Sequence, residues 1–122
     1  KKNIGKKIIL IDRFVDSTIA YQHYGMGINI ELINSINKFL LRNIRVNFTF
    51  LNLVSQKNMV LRLSKRKNLN RYDKFRYSFY KKIQNGFIKI KKKNPKKYMK
   101  VNSDLNISIN KKSIISKVEE LI

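Results

Sequence analysis

The 122-residue chain contains no cysteine, one proline, one histidine and only seven acidic residues. Without cysteine, neither a disulfide framework nor a thiolate metal site can form, and the composition is compatible with a reduced, cytosolic compartment. A lone histidine, His23, cannot assemble a histidine metal centre and reads as a surface or packing residue. No apolar run approaches the roughly 20 residues that a membrane-spanning helix requires, and no stretch has the pattern of a signal or transit peptide. The shortage of acids leaves 28 Lys and Arg residues and a formal net charge of +21. Such a balance suggests nucleic acid or an anionic surface as partner. Lys, Asn and Ile are jointly abundant along the whole chain, however, so part of the charge is expected to follow from AT-rich coding sequence. The hydrophobic fraction of 43% is too high for a disordered basic tail.

The length predicts a single domain over residues 1–122. Because the chain opens on Lys1 rather than Met and enters an apolar run almost at once, further sequence is expected upstream. Ile8-Ile9-Leu10-Ile11, after Gly5-Lys6-Lys7, predicts a buried parallel strand, and the segment Asp12 to Gln22 beyond it predicts a substrate-binding loop. Asn29 predicts the cap of a helix that buries Leu32, Ile33, Ile36, Phe39 and Leu40 on one face and ends near Asn43. Phe48 to Val54 predicts a second strand, and Ser55 the cap of the next helix. Residues 65–73 lack periodicity and predict a mobile basic loop. A long helix follows from Asp73, with Phe75, Phe79, Ile83, Phe87 and Ile90 inward and Lys81, Lys82, Lys89, Lys92 and Lys93 mostly outward. Asn94-Pro95 stops it, because proline lacks an N–H and disfavours helix at the preceding residue. Tyr98 to Asn102 is a weaker strand candidate, and Ile114, Ile115, Val118, Leu121 and Ile122 mark a last amphipathic helix. Alternating strands and helices of this kind predict an α/β fold with a parallel sheet and helical crossovers.

An open parallel sheet binds its ligand beyond the carboxyl ends of the strands, so Arg13 is expected to project into that crevice. Its planar guanidinium suits phosphate, offering two parallel hydrogen bonds while staying charged. Arg66 and Arg71 in the basic loop are placed to close over a second anionic group. The spacing alone equally allows Arg13 to pair with a neighbouring carboxylate, the loop to be merely solvated, and Tyr21 to be a packing residue.

The run Asp12-Arg13-Phe14-Val15-Asp16-Ser17-Thr18-Ile19-Ala20-Tyr21-Gln22 resembles the Asp-Arg-(aromatic)-x-x-Ser-x-x-Ala-Tyr-Gln signature of bacterial thymidylate kinases. Gly25-Met26-Gly27 is similar to the family's Gly-Arg-Gly segment, and Phe48-Thr49-Phe50-Leu51 to its Leu-Thr-Phe-Leu strand. Arg62 to Arg66 with Asn68-Leu69-Asn70-Arg71-Tyr72 resembles its lid, and Ile83-Gln84-Asn85-Gly86-Phe87 through Asn94-Pro95 resembles the helix reading Val-Arg-x-Gly-Tyr. The order of these segments matches over nearly the whole chain. Departures from the pattern are His23-Tyr24 in place of small residues, Met26 in place of Arg, and Asn47, Leu53 and Asn70 where relatives commonly carry Asp.

The resemblance implies a three-layer parallel-sheet nucleoside monophosphate kinase fold of the P-loop kinase superfamily, N-terminally truncated. The loop Gly-x-x-x-x-Gly-Lys-Ser/Thr, which cradles ATP phosphates in this superfamily, is absent and is expected upstream of Lys1. The implied activity is phosphorylation of dTMP to dTDP with ATP and Mg2+ in the complete enzyme, expected to be a cytoplasmic homodimer; the present portion alone is expected to be inactive. Arg13 is implied to bind the dTMP phosphate, with Asp12 orienting it or acting through magnesium-bound water. Ser17, Thr18 and Gln22 are implied to face the thymine edge, and Tyr21 to pack on the deoxyribose. Arg66 and Arg71 are implied to close over the ATP phosphates, with Arg62 near the adenine. The alternatives are a basic nucleic-acid-binding protein contacting phosphates through Lys89 to Lys100, and a different nucleoside monophosphate kinase of the same superfamily. No specific nucleic acid and no membrane partner are expected.

Overall fold

Helix begins at Val15, inside the run expected to be a loop. In the computed structural model, which describes residues 7–42, 44–68 and 76–122, α1 (Val15–Thr18) continues without a break into a π-helix, Ile19–Gly25. The remaining order is α2 (Ile30–Leu41), β1 (Thr49–Leu53), α3 (Gln56–Ser64), α4 (Tyr77–Lys93), one 3-10 turn (Pro95–Lys97), β2 (Tyr98–Asn102) and α5 (Ile107–Leu121). The loop expectation for Asp12 to Gln22 is therefore corrected for Val15 onward. Val15, Ile19, Ala20 and Tyr24 recur at a helical spacing, and that side of the segment has a partner in α4.

This pair of helices forms the densest core. Ala20 is fully buried, Ile83 and Ile90 nearly so, and Ile19, Tyr21, Tyr24, Phe79, Phe87 and Tyr98 pack around them. Two glycines permit the approach. A Cβ on Gly25 would stand 2.8 Å from the Phe79 ring, and one on Gly86 would stand 2.6 Å from Tyr24. The inward stripe expected of α4 is realised at Phe79, Ile83, Phe87 and Ile90; Phe75 lies outside the described residues. Lys81, Lys82, Lys89, Lys92 and Lys93 face solvent, and Asn94-Pro95 ends the helix as expected.

β1 and β2 pair in parallel, with Thr49 opposite Tyr98 and Leu53 opposite Asn102. Leu51, Leu53 and Val101 are buried while Asn52 and Lys100 are exposed. This alternation belongs to a sheet covered on one face. The backbone N–H of Ser103 donates to the Leu53 carbonyl at 2.8 Å and prolongs the ladder past β2.

Two expectations are corrected. Ile8 to Ile11 is not a buried strand: the four residues pair with neither β1 nor β2 and are 51 to 85% exposed. A parallel strand needs a neighbour along its edge, and among the described residues none lies beside this run. The expected buried face of α2 is likewise present in sequence but uncovered. Asn29 caps the helix, accepting from the N–H groups of Glu31 at 2.7 Å and Leu32 at 3.3 Å. Only Ile33 of its five apolar positions is buried; Leu32, Ile36, Phe39 and Leu40 are half-exposed or more. Periodicity specifies which face is apolar, and a second layer is still required to bury it.

Candidate active site

Arg13 sits in the left-handed region with φ of 58°, an uncommon conformation for a residue with a Cβ. That turn swings its guanidinium back over the ring of Tyr21, 5.4 Å from the centroid. Tyr21 in turn meets Phe79 edge-on at 6.2 Å, so Arg13 is linked through two aromatic contacts to α4. The π-helical turn carries Tyr21, Gln22, His23 and Tyr24 on consecutive positions, and such turns concentrate at functional sites. Asp12 and Arg13 are exposed, Ser17 is half-buried and Thr18 is exposed. Gln22 stands out: its Oε1 is buried without a hydrogen-bond partner among the described residues. A buried carbonyl oxygen left unpaired costs roughly 1–3 kcal/mol, so this position suits an N–H donor from outside the chain.

His23 turns away from this group. Its Nδ1 lies 2.9 Å from the Ile28 carbonyl, which can only accept, so the ring donates from Nδ1. Its ring also packs edge-on against Tyr24 at 4.7 Å. Both contacts agree with the packing role expected of it.

Asp16, to which the sequence assigned no role, anchors the segment to the sheet. The Tyr98 hydroxyl donates to its Oδ2 at 2.9 Å. Burial pushes the Asp16 carboxyl above its ordinary range, against the opposing pull of the Tyr98 hydrogen bond. Burial, followed by the neighbouring Asp16 carboxylate, pushes the Tyr98 phenol well above its usual value. Asp104 is a second unpredicted anchor. Its carboxylate accepts from the Ser55 N–H at 3.1 Å and from Asn58 Nδ2 at 2.9 Å, tying the start of α3 to the turn after β2. Hydrogen bonds from Asn58 and Ser55 hold this exposed carboxyl below its ordinary range. The signal was present as Asn102-Ser103-Asp104 after a strand, where the Asn102 side chain accepts from the Asp104 N–H at 3.0 Å.

Arg62 is held elsewhere. Its Nη2 donates to the Ser103 carbonyl at 2.6 Å, and with Asn52, Val101, Ile107 and Ile115 it lines an open groove of about 690 Å³. Asp16 is tied to the first residue of β2 and Arg62 to the residue just beyond its last, ends separated by about 17 Å for five residues of strand. The structure thus gathers Asp12, Arg13, Ser17, Thr18, Tyr21 and Gln22 on one segment and keeps Arg62 apart. The reason is local: Ile8 to Ile11, expected to deliver Asp12 and Arg13 to the carboxyl edge, is not seated in the sheet. Arg66 is exposed just past α3, and Arg71, with most of the expected lid of residues 65–73, lies outside the described residues.

A family model of thymidylate kinase matches residues 1–114. The chain belongs to the thymidylate kinase family. Thymidylate kinase of Ehrlichia ruminantium is 40% identical over 111 residues, covering 90% of this chain and 52% of that protein. Thymidylate kinase of a Sulfurihydrogenibium species is 31% identical over 113 residues, covering 93% of this chain and 54% of that one. Among solved structures, thymidylate kinase from Ehrlichia chaffeensis superposes with a TM-score of 0.65 at 28% identity, covering 95% of this chain and 53% of that chain. The fold is accordingly that of a thymidylate kinase, and β1–β2 with their flanking helices are part of its parallel α/β sheet architecture. The chain spans about half the length of these curated relatives. Residues 1–114 include every segment that carried the resemblance, from Asp12 through Pro95.

Among the described residues no cluster of three His, Cys, Asp or Glu side chains is placed to hold a metal ion. Asp104 is engaged by backbone and amide donors, and Asp12 is exposed. These residues do not fit a protein-built magnesium cage. No described helix is long and apolar enough to cross a membrane.

Proposed function

We propose that this chain is the dTMP-binding part of a thymidylate kinase, an enzyme that transfers a phosphoryl group from ATP to dTMP. The observation that carries this reading is the Asp12 to Gln22 segment, in which Arg13, turned at positive φ onto Tyr21, stands eight positions before the tyrosine-glutamine pair of the thymidylate-kinase signature. Arg13 binds the dTMP phosphate by a bidentate, charge-assisted contact, and the Tyr21 ring beneath it packs on the deoxyribose. The unpartnered Oε1 of Gln22 supplies an acceptor for the ring N–H of thymine, which favours thymine over cytosine, whose equivalent nitrogen is an acceptor. Ser17 and Thr18 flank the same edge, and Asp12 orients Arg13.

ATP is the phosphoryl donor, with Arg62, Arg66 and Arg71 as its contacts on this chain. Phosphoryl transfer asks the protein mainly for positioning and for cations around the migrating group. Magnesium enters on the nucleotide phosphates, since the described acids do not cage it. The enzyme acts in the cytoplasm as a homodimer.

The test joins this chain to the part of the Ehrlichia chaffeensis enzyme that it does not cover, and measures dTDP formation from dTMP and ATP. Arg13→Ala should lower kcat/KM for dTMP about a hundredfold or more, since a bidentate phosphate contact is worth on the order of 3 kcal/mol. Equal activity with and without Arg13 would remove it from the site.

A further inference from the structure

The outward side of α4 is a row of lysines without a counter-ion among the described residues. With 100° of rotation and 1.5 Å of rise per residue, Lys81, Lys82, Lys89, Lys92 and Lys93 fall within an arc of about 120° and a length of about 18 Å. All five are exposed, as is Lys96 in the turn that follows. Between Asp73 and Asp104 the sequence has no acidic residue. On α5 one lysine does have a counter-ion: Lys117 pairs with Glu120 at 2.6 Å. On α4, by contrast, Lys89 faces Lys92 and Lys93 at helix spacings of three and four, where like charges repel. A uniform coding bias does not produce a helix face of one sign next to another that is paired.

We propose that this face of α4 docks on the sugar–phosphate backbone of duplex DNA without reading sequence. Three features choose this occupant. The arc carries Ser78 and Asn85 between the lysines, and a single exposed apolar side chain, Ile88, stands at its border, far less than the apolar face by which a helix enters a lipid surface. The aromatic residues of the helix, Phe79 and Phe87, are packed in the core, so it offers no platform on which unstacked bases of a single strand would sit. What remains is a straight cationic rail, which matches the dense, regular charge of a duplex. Part of the run Lys89 to Lys100, weighed in sequence as a nucleic-acid surface, thus falls on the side of α4 turned away from Phe87, with Lys89 at its border over the Tyr24 ring.

The test is binding of the chain to a short random-sequence duplex, followed by fluorescence anisotropy as salt is varied. Five phosphate contacts give a log–log slope of about −4.5, hence a loss of affinity of about 500-fold between 50 and 200 mM salt. Replacing Lys81, Lys92 and Lys93 together by Gln should flatten the slope by about 2.7, whereas replacing the same three by Arg should leave it unchanged. A second sequence of the same length should bind equally. An unchanged slope in the Gln variant with its helix content intact, tighter binding to phosphatidylserine vesicles than to duplex at equal salt, or preference for single-stranded DNA would each overturn the proposal.

Discussion

Replacing Gly86 by Ala sets two known effects against each other. Alanine in the middle of a helix is favoured over glycine by about 1 kcal/mol, so α4 taken alone should gain. The new methyl, however, would stand 2.6 Å from Cδ2, 2.7 Å from Cγ and 2.8 Å from Cβ of Tyr24. Because two of those atoms lie next to the Tyr24 backbone, rotating the ring does not clear the clash. Moving the whole side chain would sacrifice its edge contact with His23 and the Lys89 ammonium above its ring at 5.4 Å. The π-helix must therefore shift, and overpacking of this kind costs typically 1–3 kcal/mol. We expect net destabilisation of about 1–2 kcal/mol, read as a lower urea midpoint at unchanged slope. In a Tyr24→Ala background the steric cost is gone, and the same substitution should stabilise by up to about 1 kcal/mol. The same effect in both backgrounds would show that Tyr24 does not set the spacing of the two helices.

Three other outcomes follow from contacts described above. Asn29→Ala removes the acceptor for two N–H groups at the start of α2 and should cost about 1 kcal/mol, seen as a lower melting midpoint and reduced helicity by circular dichroism. Folded Asp16 holds its proton more tightly than the unfolded residue, whose value lies near 3.8, so its favourable contribution is complete below that pH and is lost as pH rises through the folded value. Asp16→Asn, which can still accept from Tyr98, should accordingly gain stability relative to the parent as pH rises above about 3.8 in urea melts; a pH-independent difference would refute the assignment. Tyr98→Phe should destabilise by about 1–3 kcal/mol at neutral pH, because it strands a half-buried carboxylate, and Asp16→Asn should recover part of that loss.

The parts of this fold legible in sequence are those fixed by neighbours along the chain. Asn29 and Ser55 act as caps where expected, Pro95 ends α4, and the fourfold spacing from Phe79 to Phe87 names the buried side of the helix. The misreadings arise where a partner distant in sequence decides. Ile8 to Ile11 has the composition of an interior strand but no described edge to pair with. Val15 to Gly25 has a helical spacing at Val15, Ile19, Ala20 and Tyr24, but the surface that this side packs on, α4 at Gly86, lies about sixty residues away. A long motif singled out Arg13, Tyr21 and Gln22 as candidates. Asp16 gave no such signal and Asp104 only that of a local turn, since their anchoring contacts rest on Tyr98 and on Ser55 and Asn58, which only the fold brings near.

Every residue of β1 pairs with one 49 positions later, as Thr49 does with Tyr98. During synthesis at about 5–20 residues per second, β1 therefore leaves the ribosome about 2–10 seconds before its partner exists. Helices form in microseconds, so α3 and α4 are made within that interval while the Thr49–Leu53 edge stays open. The order of assembly is thereby set by the connection rather than by the strength of the sheet. Conditions that slow translation across α4 should lengthen the time for which a hydrophobic edge can meet another nascent chain.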